Sequence, residues 1–116
     1  GPAMKDEALY FGDLGGYFYK VEMADGKIQW KTLHDSAIVG TPSITESGIV
    51  FATEKGSLYL VDTNGNQIWQ KTFEGGLYTS PIIAMDRMIL PLTNSKTLLM
   101  SLDSNGNQQW SFIPSK

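Results

Sequence analysis

The 116-residue sequence predicts an all-β fold made of repeated four-stranded antiparallel meanders. Tryptophan recurs at regular positions, and each tryptophan follows a glycine by four residues: Gly26 and Trp30, Gly65 and Trp69, Gly106 and Trp110. The Thr-Pro pair at 41–42 and the Ser-Pro pair at 80–81 each place a proline twelve residues after the preceding tryptophan. A period near 40 residues indicates a repeat architecture. Helical repeats of this period need amphipathic stretches of ten or more residues, and the sequence has none.

The segments between the tryptophans have the composition of short strands. One full unit contains such segments at 41–46, 48–53, 57–62 and 67–73, and the next contains them at 80–85, 87–93, 97–103 and 108–113. Their β-branched, aromatic and leucine residues, bounded by Gly, Asn, Asp or Ser, are typical of strands joined by tight turns. The dipeptides Asp25-Gly26, Asn64-Gly65 and Asn105-Gly106 predict two-residue type I′ hairpins. Asp62 and Asp103 can accept hydrogen bonds from amides of these turns.

The first copy of the repeat is incomplete in the sequence. Strand-like segments occur at 8–13, 17–23 and 27–33, with no proline-bearing strand before them. The sequence therefore predicts a partial blade of three strands over 5–36, followed by full blades over 37–75 and 76–116. The opening Gly1-Pro2-Ala3-Met4 looks like the remainder of a cleaved tag and cloning site, and it is excluded from the predicted fold.

The pattern on the strand faces predicts how the units pack. A meander with one face in water should alternate apolar and polar residues, yet the segments around 49–51 and 58–61 are apolar on both faces. Antiparallel sheets buried on both faces stack on one another, and radial stacking of four-stranded sheets gives a β-propeller. We expect each tryptophan to fill the wedge between neighbouring blades and to donate its indole N–H to a backbone carbonyl there. The fold expected is an incomplete propeller of about three blades.

Composition excludes several functional classes. The net charge of -3 and the isoelectric point near 4.9 argue against a nucleic-acid-binding surface, which needs a basic patch. No apolar run reaches the roughly 18 residues that span a bilayer, so we expect no direct membrane insertion. The absence of cysteine excludes disulfides and thiolate metal sites, and the single histidine excludes a histidine-based metal site within one subunit.

The phrase hydrophobic–Asp–turn–Gly–x–x–x–Trp, with Ser/Thr-Pro twelve residues later, resembles the PQQ-like, tryptophan-docking β-propeller repeat. That family includes quinoprotein dehydrogenases and BamB-like outer-membrane-assembly lipoproteins, and the resemblance covers nearly all of residues 8–113. It implies a location outside the cytoplasm. The turns at Asp62–Gly65 and Asp103–Gly106 are one residue shorter than the common family form, and Glu22 replaces the first aspartate. These variants look more like the binding and scaffold branch than the dehydrogenases.

A quinone cofactor is not expected. The resemblance implies that the enzymes of this family hold PQQ between a tryptophan and a disulfide of adjacent cysteines, with a calcium ion and an aspartate base. This chain has no cysteine, and its three tryptophans are all assigned to blade docking. We therefore predict no cofactor. A fragment of a PQQ-dependent quinoprotein dehydrogenase, or an engineered or truncated repeat fragment without isolated function, remains as an alternative.

Three further motifs have simpler structural explanations. DTNGN and DSNGN place oxygen ligands at alternate positions, as a calcium-binding loop does. Such a loop also needs glycine at its sixth position and glutamate at its twelfth. Counted from Asp62 and Asp103, this chain has glycine at the fourth position and Phe73 or Pro114 at the twelfth. Residues 34–36 (HDS) have the residue types of a catalytic triad, but the side chains of adjacent residues cannot converge on one site, so we expect a solvated loop. The glycine-rich 12–16 (GDLGG) has no helix after it and is expected to be a hairpin turn.

The densest aromatic cluster is the candidate for a partner-binding surface. It consists of Tyr10, Phe11, Tyr17, Phe18 and Tyr19, and aromatic anchors dominate protein interfaces. Ordinary blade packing is the alternative, since alternation along a strand sends about half of them inward. With no catalytic or metal constellation, we expect a non-catalytic binding or scaffold module for protein–protein interaction or assembly in the cell envelope. Its incomplete ring predicts self-association, most simply a two-fold dimer that brings six partial blades together, or else a head-to-tail ring of more copies.

Overall fold

The structure, a computed structural model, describes residues 1–74, 77, 81–84, 87–92 and 99–113. Sheet 1 contains β1 (Ala3–Lys5), β2 (Ala8–Gly12), β3 (Tyr17–Glu22) and β4 (Ile28–Leu33). Sheet 2 contains β5 (Ile38–Thr45), β6 (Gly48–Thr53), β7 (Ser57–Val61) and β8 (Gln67–Thr72). Sheet 3 contains β9 (Ile82–Ala84), β10 (Arg87–Pro91), β11 (Leu99–Leu102) and β12 (Gln108–Phe112).

All three sheets are antiparallel meanders of four strands in chain order. This arrangement confirms the predicted all-β class and the four-stranded blades. Ser80 of the Ser-Pro pair, Pro114, and the predicted blade boundaries at 75, 76 and 116 lie outside the described residues. No helix in the described ranges is long and apolar enough to cross a membrane.

The prediction of only three strands in the first blade is wrong. Strand β1 pairs with β2, and the pairs run from Ala3 with Tyr10 to Lys5 with Ala8. The two residues between these strands, Asp6 and Glu7, have φ angles of 50° and 64°, which is the left-handed backbone of a type I′ turn. Ala3 and Met4, which the sequence interpretation excluded from the fold, therefore belong to the sheet. The strand was missed because it has three residues and its turn lacks Gly and Asn.

The turns before the tryptophans also differ from prediction. Within the described residues, Asp6 and Glu7 are the non-glycine residues with positive φ, so Asn64 does not adopt the type I′ conformation. The amide of Gly65 donates to the carbonyl of Asp62 at 3.1 Å, and Gly65 has φ of 86°. The strand register shifts beside this turn. This geometry is a three-residue loop, in which a type I turn is followed by a left-handed glycine in a bulge.

Two apolar cores join the three sheets. The first lies between sheets 1 and 2 and contains Ala8, Tyr10, Phe18, Ile38, Ile49, Phe51, Tyr59 and Val61. The second lies between sheets 2 and 3 and contains Val50, Ala52, Leu58, Leu60, Leu77, Met88, Leu90, Leu92 and Leu102. Every residue of β6 and β7 is buried. Sheet 2 therefore packs on both faces, as its doubly apolar strands predicted.

Candidate functional site: the blade junctions

The first junction joins β4 of sheet 1 to the β7–β8 turn of sheet 2. Trp30 on β4 donates its Nε1–H to the carbonyl oxygen of Thr63 at 3.0 Å. The Nζ of Lys20, on the neighbouring strand, donates to the same oxygen at 3.0 Å. The Trp30 ring lies on Gly65, where an added Cβ would come within 2.9 Å of Cδ2 of the indole. Only glycine combines the positive φ of this turn with such a close approach of the ring.

The second junction repeats this geometry one sheet further along the chain. Trp69 on β8 donates its Nε1–H to the carbonyl oxygen of Ser104 in the β11–β12 turn, at 3.0 Å. Its ring lies on Gly106, where an added Cβ would be 3.2 Å from Cδ2 of the indole. Each junction therefore combines a flat apolar contact with one directed hydrogen bond from the indole, and Lys20 adds a second bond at the first junction.

Aspartates hold the receiving turns in shape. Oδ1 of Asp62 accepts hydrogen bonds from the amides of Asn64 and Asn66, both at 2.9 Å. Oδ1 of Asp103 accepts the equivalent bonds from Asn105 and Asn107, also at 2.9 Å. These amide donors, led by Asn66 and Asn107 respectively, hold the pKa of each carboxyl below its usual range. The carboxylates are thus engaged within the turn that presents a carbonyl to the tryptophan.

Within the described residues, the third tryptophan and the first glycine have no such partners. Trp110 on β12 is 43% exposed, and its Nε1 makes no hydrogen bond within the described part of the chain. Gly26, in the β3–β4 turn, has φ of 73°, and a Cβ added there would meet no atom within 4 Å. Among the described residues, Trp110 therefore docks on no turn, and no ring covers Gly26.

The structure divides the aromatic cluster into two sets. Tyr10 and Phe18 are 1% and 0% exposed and belong to the core between sheets 1 and 2. The Phe18 ring stacks on Phe51 of sheet 2 at 3.9 Å. The suggestion that these two residues form a partner interface is therefore wrong. Alternation along β2 and β3 turns them inward, while their neighbours face the other way.

The second set lies on the face of sheet 1 that is turned away from sheet 2. Phe11 and Tyr19 stack at 5.1 Å, and Nζ of Lys31 lies 4.9 Å from the centre of the Tyr17 ring. The Tyr19 hydroxyl donates to Oδ2 of Asp13 at 2.8 Å. This bond is the main reason that the pKa of Asp13 is lowered and that of Tyr19 raised. The result is a partly exposed, ordered aromatic surface.

The surroundings of His34 were not predicted from the sequence. The loop at 34–36 does lie between β4 and β5, but the half-buried imidazole makes edge contacts with Phe51 at 4.8 Å and Tyr59 at 4.5 Å. Burial lowers the pKa of His34. The Ser36 hydroxyl donates to Asp35 rather than to the imidazole, so the three residues form no triad. The solvated-loop prediction is wrong for His34 because its contacts come from strands far along the chain.

No group of three or more His, Asp or Glu side chains in the described ranges could hold a metal ion. An open groove of about 800 Å³ runs past the β5–β6 turn and sheet 3, with Lys5, Ile44, Glu46, Ile83 and Arg87 in its walls. Its mixed charges and open shape define no particular ligand.

Three stacked four-stranded sheets, joined by tryptophans that lie on glycine turns of the following sheet, define a PQQ-like β-propeller repeat protein. The family described as outer membrane protein assembly factor BamB matches residues 1–112. The chain belongs to this family. The membership confirms the resemblance read from the repeat, and it agrees with a location outside the cytoplasm.

Individual relatives are distant. The outer membrane protein assembly factor BamB of Burkholderia pseudomallei is 19% identical over 111 residues, covering 96% of this chain and 29% of the relative. The solved BamB of Moraxella catarrhalis superposes with a TM-score of 0.81 at 24% identity, over 99% of this chain and 35% of that one. A quinohemoprotein alcohol dehydrogenase from Comamonas testosteroni gives the same TM-score of 0.81 at 14% identity, over 97% and 20% of the two chains. These structural likenesses show the fold alone, and the chain spans about a third or less of each protein.

Proposed function

We propose that this chain is a non-catalytic scaffold segment of a BamB-like propeller that acts in outer membrane protein assembly in the cell envelope. The observation that carries the proposal is the family match over residues 1–112. The related assembly factors are named for this process, and fold likeness alone would not separate them from the dehydrogenases.

The geometry supports a structural use of the repeat residues. In this proposal the docking tryptophans are Trp30, Trp69 and Trp110, the receiving glycines are Gly26, Gly65 and Gly106, and the turn-forming aspartates are Asp62 and Asp103. Two of the three indoles already use their N–H on a neighbouring sheet. The side chains that define the repeat therefore serve packing, which leaves the partly exposed surfaces for protein partners or for another copy of the chain.

The proposed partner surface is the face with Phe11, Tyr17 and Tyr19. Its rings are held in place by stacking and by the bond from Tyr19 to Asp13. Ordered aromatic side chains lose little conformational entropy on binding, and they are common at the centres of protein interfaces.

A chimera tests the scaffold function. The segment of the Burkholderia pseudomallei relative that matches this chain is replaced by the chain itself, and the amounts of outer-membrane β-barrel proteins are compared with those in cells carrying the unmodified relative. We expect near-normal amounts, because the segment supplies equivalent blades. The same chimera with Trp69→Ala should lower them, since one junction is lost. A chimera that is folded and exported but leaves the amounts at the level of a deletion strain would contradict the proposal.

The enzyme alternative is tested on the isolated chain. Adding PQQ and calcium at saturating concentrations should produce no red-shifted absorbance, because the chain lacks the adjacent cysteines of the quinoprotein site. A saturable shift that scales with protein concentration would instead support a dehydrogenase fragment.

A further inference from the structure

We propose that His34 makes the contact between sheets 1 and 2 sensitive to pH. Protonation of its imidazole in mild acid loosens sheet 1 from sheet 2, whereas the contact between sheets 2 and 3 has no such dependence. The inference does not depend on the proposed scaffold function. It concerns a contact inside the array, between two sheets that each have four described strands.

The next repeat has phenylalanine at the position of His34. His34 and Phe73 are each the fourth residue after the tryptophan of their sheet. The amide of His34 donates to the carbonyl of Gly16 at 2.8 Å, and the amide of Phe73 donates to the carbonyl of Gly56 at the same distance. These two glycines have φ angles of 91° and 101°. The two positions are therefore equivalent in backbone structure, and only the first carries a side chain that can titrate.

The imidazole lies against the core between sheets 1 and 2. It is half-buried, and its ring makes edge contacts with Phe51 at 4.8 Å and Tyr59 at 4.5 Å, both of which belong to that core. Its Nε2 lies 2.6 Å from the Thr32 hydroxyl. Phe73 packs against the core between sheets 2 and 3. A charge on His34 is therefore placed in a contact that the next repeat keeps apolar.

The loop that carries His34 is held in place by the β6–β7 turn. Oδ2 of Asp35 accepts the hydroxyl of Ser57 at 2.5 Å, and the hydroxyl of Ser36 accepts the amide of Lys55 at 3.0 Å. A protonated imidazole must therefore either stay against the two aromatic rings or rotate into solvent and leave a gap beside them. Both states cost free energy relative to the packed neutral ring.

The charged groups around His34 do not reverse this cost. Burial is the larger effect on the imidazole and lowers its pKa, while the neighbouring Asp35 carboxylate raises it. The titratable and charged side chains on the described elements around His34 are those of Asp13, Lys31, Asp35, Glu54, Lys55 and Tyr59. The pKa values of Asp13 and Asp35 are lowered and that of Tyr59 is raised, so these three keep their charge state between about pH 5.5 and 7.5. His34 is the single histidine of the chain, and histidine is the side chain that ordinarily titrates in this range.

Stability should fall as the pH falls. The pKa of His34 is lower in the folded chain than in the unfolded chain, where it is about 6.5, so the unfolded form binds the proton more tightly. The stabilisation from the neutral ring is complete above about pH 6.5 and is lost progressively below it. Local separation of sheet 1, which exposes the imidazole without unfolding the other sheets, is favoured in the same way.

Proton NMR of the single imidazole tests its environment. The Cε1 proton of His34 is titrated in the folded chain and, as the unfolded reference, in a peptide of residues 31–37 in the same buffer. We expect the midpoint in the folded chain to lie below that of the peptide. A midpoint equal to or above the peptide value, as attraction of a cation to the faces of Phe51 and Tyr59 would give, would contradict the inference.

Variants at this position locate the effect in the structure. His34→Phe introduces the residue of the next repeat, and His34→Gln keeps a polar side chain that does not titrate. Amide exchange is compared at about pH 7.5 and 5.5, on either side of the ordinary histidine pKa, after correction for the intrinsic pH dependence of exchange. In the unmodified chain, acid should reduce protection of β2 and β3 several-fold more than in either variant, and should leave the described strands β10 and β11 unchanged.

Moving the histidine should move the acid-sensitive contact. In a chain with both His34→Phe and Phe73→His that is folded at neutral pH, acid should reduce protection in β10 and β11 rather than in β2 and β3. If the phenylalanine at position 34 does not fit, His34→Gln provides the same background. Acid sensitivity that remains in sheet 1 without His34, or that His34→Gln shares with the unmodified chain, would overturn the inference.

Discussion

Tryptophan suits the blade junction because it combines a large flat surface with one hydrogen-bond donor. The Trp69 ring covers Gly106, while its Nε1 reaches the carbonyl of Ser104 at 3.0 Å. A phenylalanine could provide the flat contact but would leave that carbonyl without the indole donor. The glycine is equally specific, since any Cβ at Gly106 would lie within 3.2 Å of the ring.

We expect Trp69→Ala to lower the free energy of unfolding by about 3 kcal/mol, as for other large-to-small substitutions at packed aromatic positions. Trp69→Phe should cost about 1 kcal/mol, because the ring remains and only the N–H bond is lost. Urea unfolding measures both. Trp110→Ala should have little effect, because Trp110 is 43% exposed. Equal and negligible losses at Trp69 and Trp110 would contradict the docking role.

Single-residue environments were predictable where they depend on local spacing. The repeat spacing identified the glycines and tryptophans that meet in the structure, because the same short motif sets the same turn each time. The alternation of side chains along β2 predicted that Tyr10 and Phe11 lie on opposite faces, but it did not show which of the two faces sheet 2. His34 was missed because its neighbours Phe51 and Tyr59 come from strands that follow in the next sheet, and no local pattern records such contacts.

At the scale of strands and turns, the sequence predicted the meanders but missed one strand and one turn type. Periodicity identifies a strand only when it has enough residues to alternate, and β1 has three. Asn64-Gly65 suggested a two-residue hairpin, but the Asp62 side chain bonds the amides of Asn64 and Asn66 and so favours a right-handed turn before the glycine. A side chain outside the dipeptide therefore decided the turn type.

Substitution in the β1–β2 turn should stabilise the protein, because Asp6 and Glu7 both hold left-handed backbone conformations. Replacing them together by Asp6→Asn and Glu7→Gly should raise the free energy of unfolding by about 1 kcal/mol, since Asn and Gly accept positive φ at lower cost. Thermal melting measures the gain.

The matched control for this substitution is the β5–β6 turn, which also has two loop residues, Glu46 and Ser47. Neither has positive φ, and the Thr45 hydroxyl accepts the amide of Ser47 at 3.1 Å. The same Asn-Gly replacement there should give no gain, or a loss from the added flexibility of glycine. An equal gain in both turns would show that the left-handed strain of Asp6 and Glu7 is not the cause.

At the scale of the whole molecule, stability should be concentrated in the middle of the array. Sheet 2 contributes to both apolar cores, and every residue of β6 and β7 is buried. Sheets 1 and 3 each share one core with sheet 2. The other face of each packs against no sheet in the described part of the chain. Repeat arrays in which each unit contacts only its neighbours unfold most readily from their ends.

Hydrogen exchange should reveal this gradient. We expect the slowest amides to lie in β6 and β7, where opening requires loss of both cores. The fastest strand should be β12, an edge strand with every residue exposed. Adding Trp69→Ala should speed exchange first in the described strands of sheet 3, because the lost junction holds the β11–β12 turn, and should leave β2 and β3 nearly unchanged. Strands β2 and β3 that exchange more slowly than β6 and β7 would show that sheet 2 is not the stabilising centre of the array.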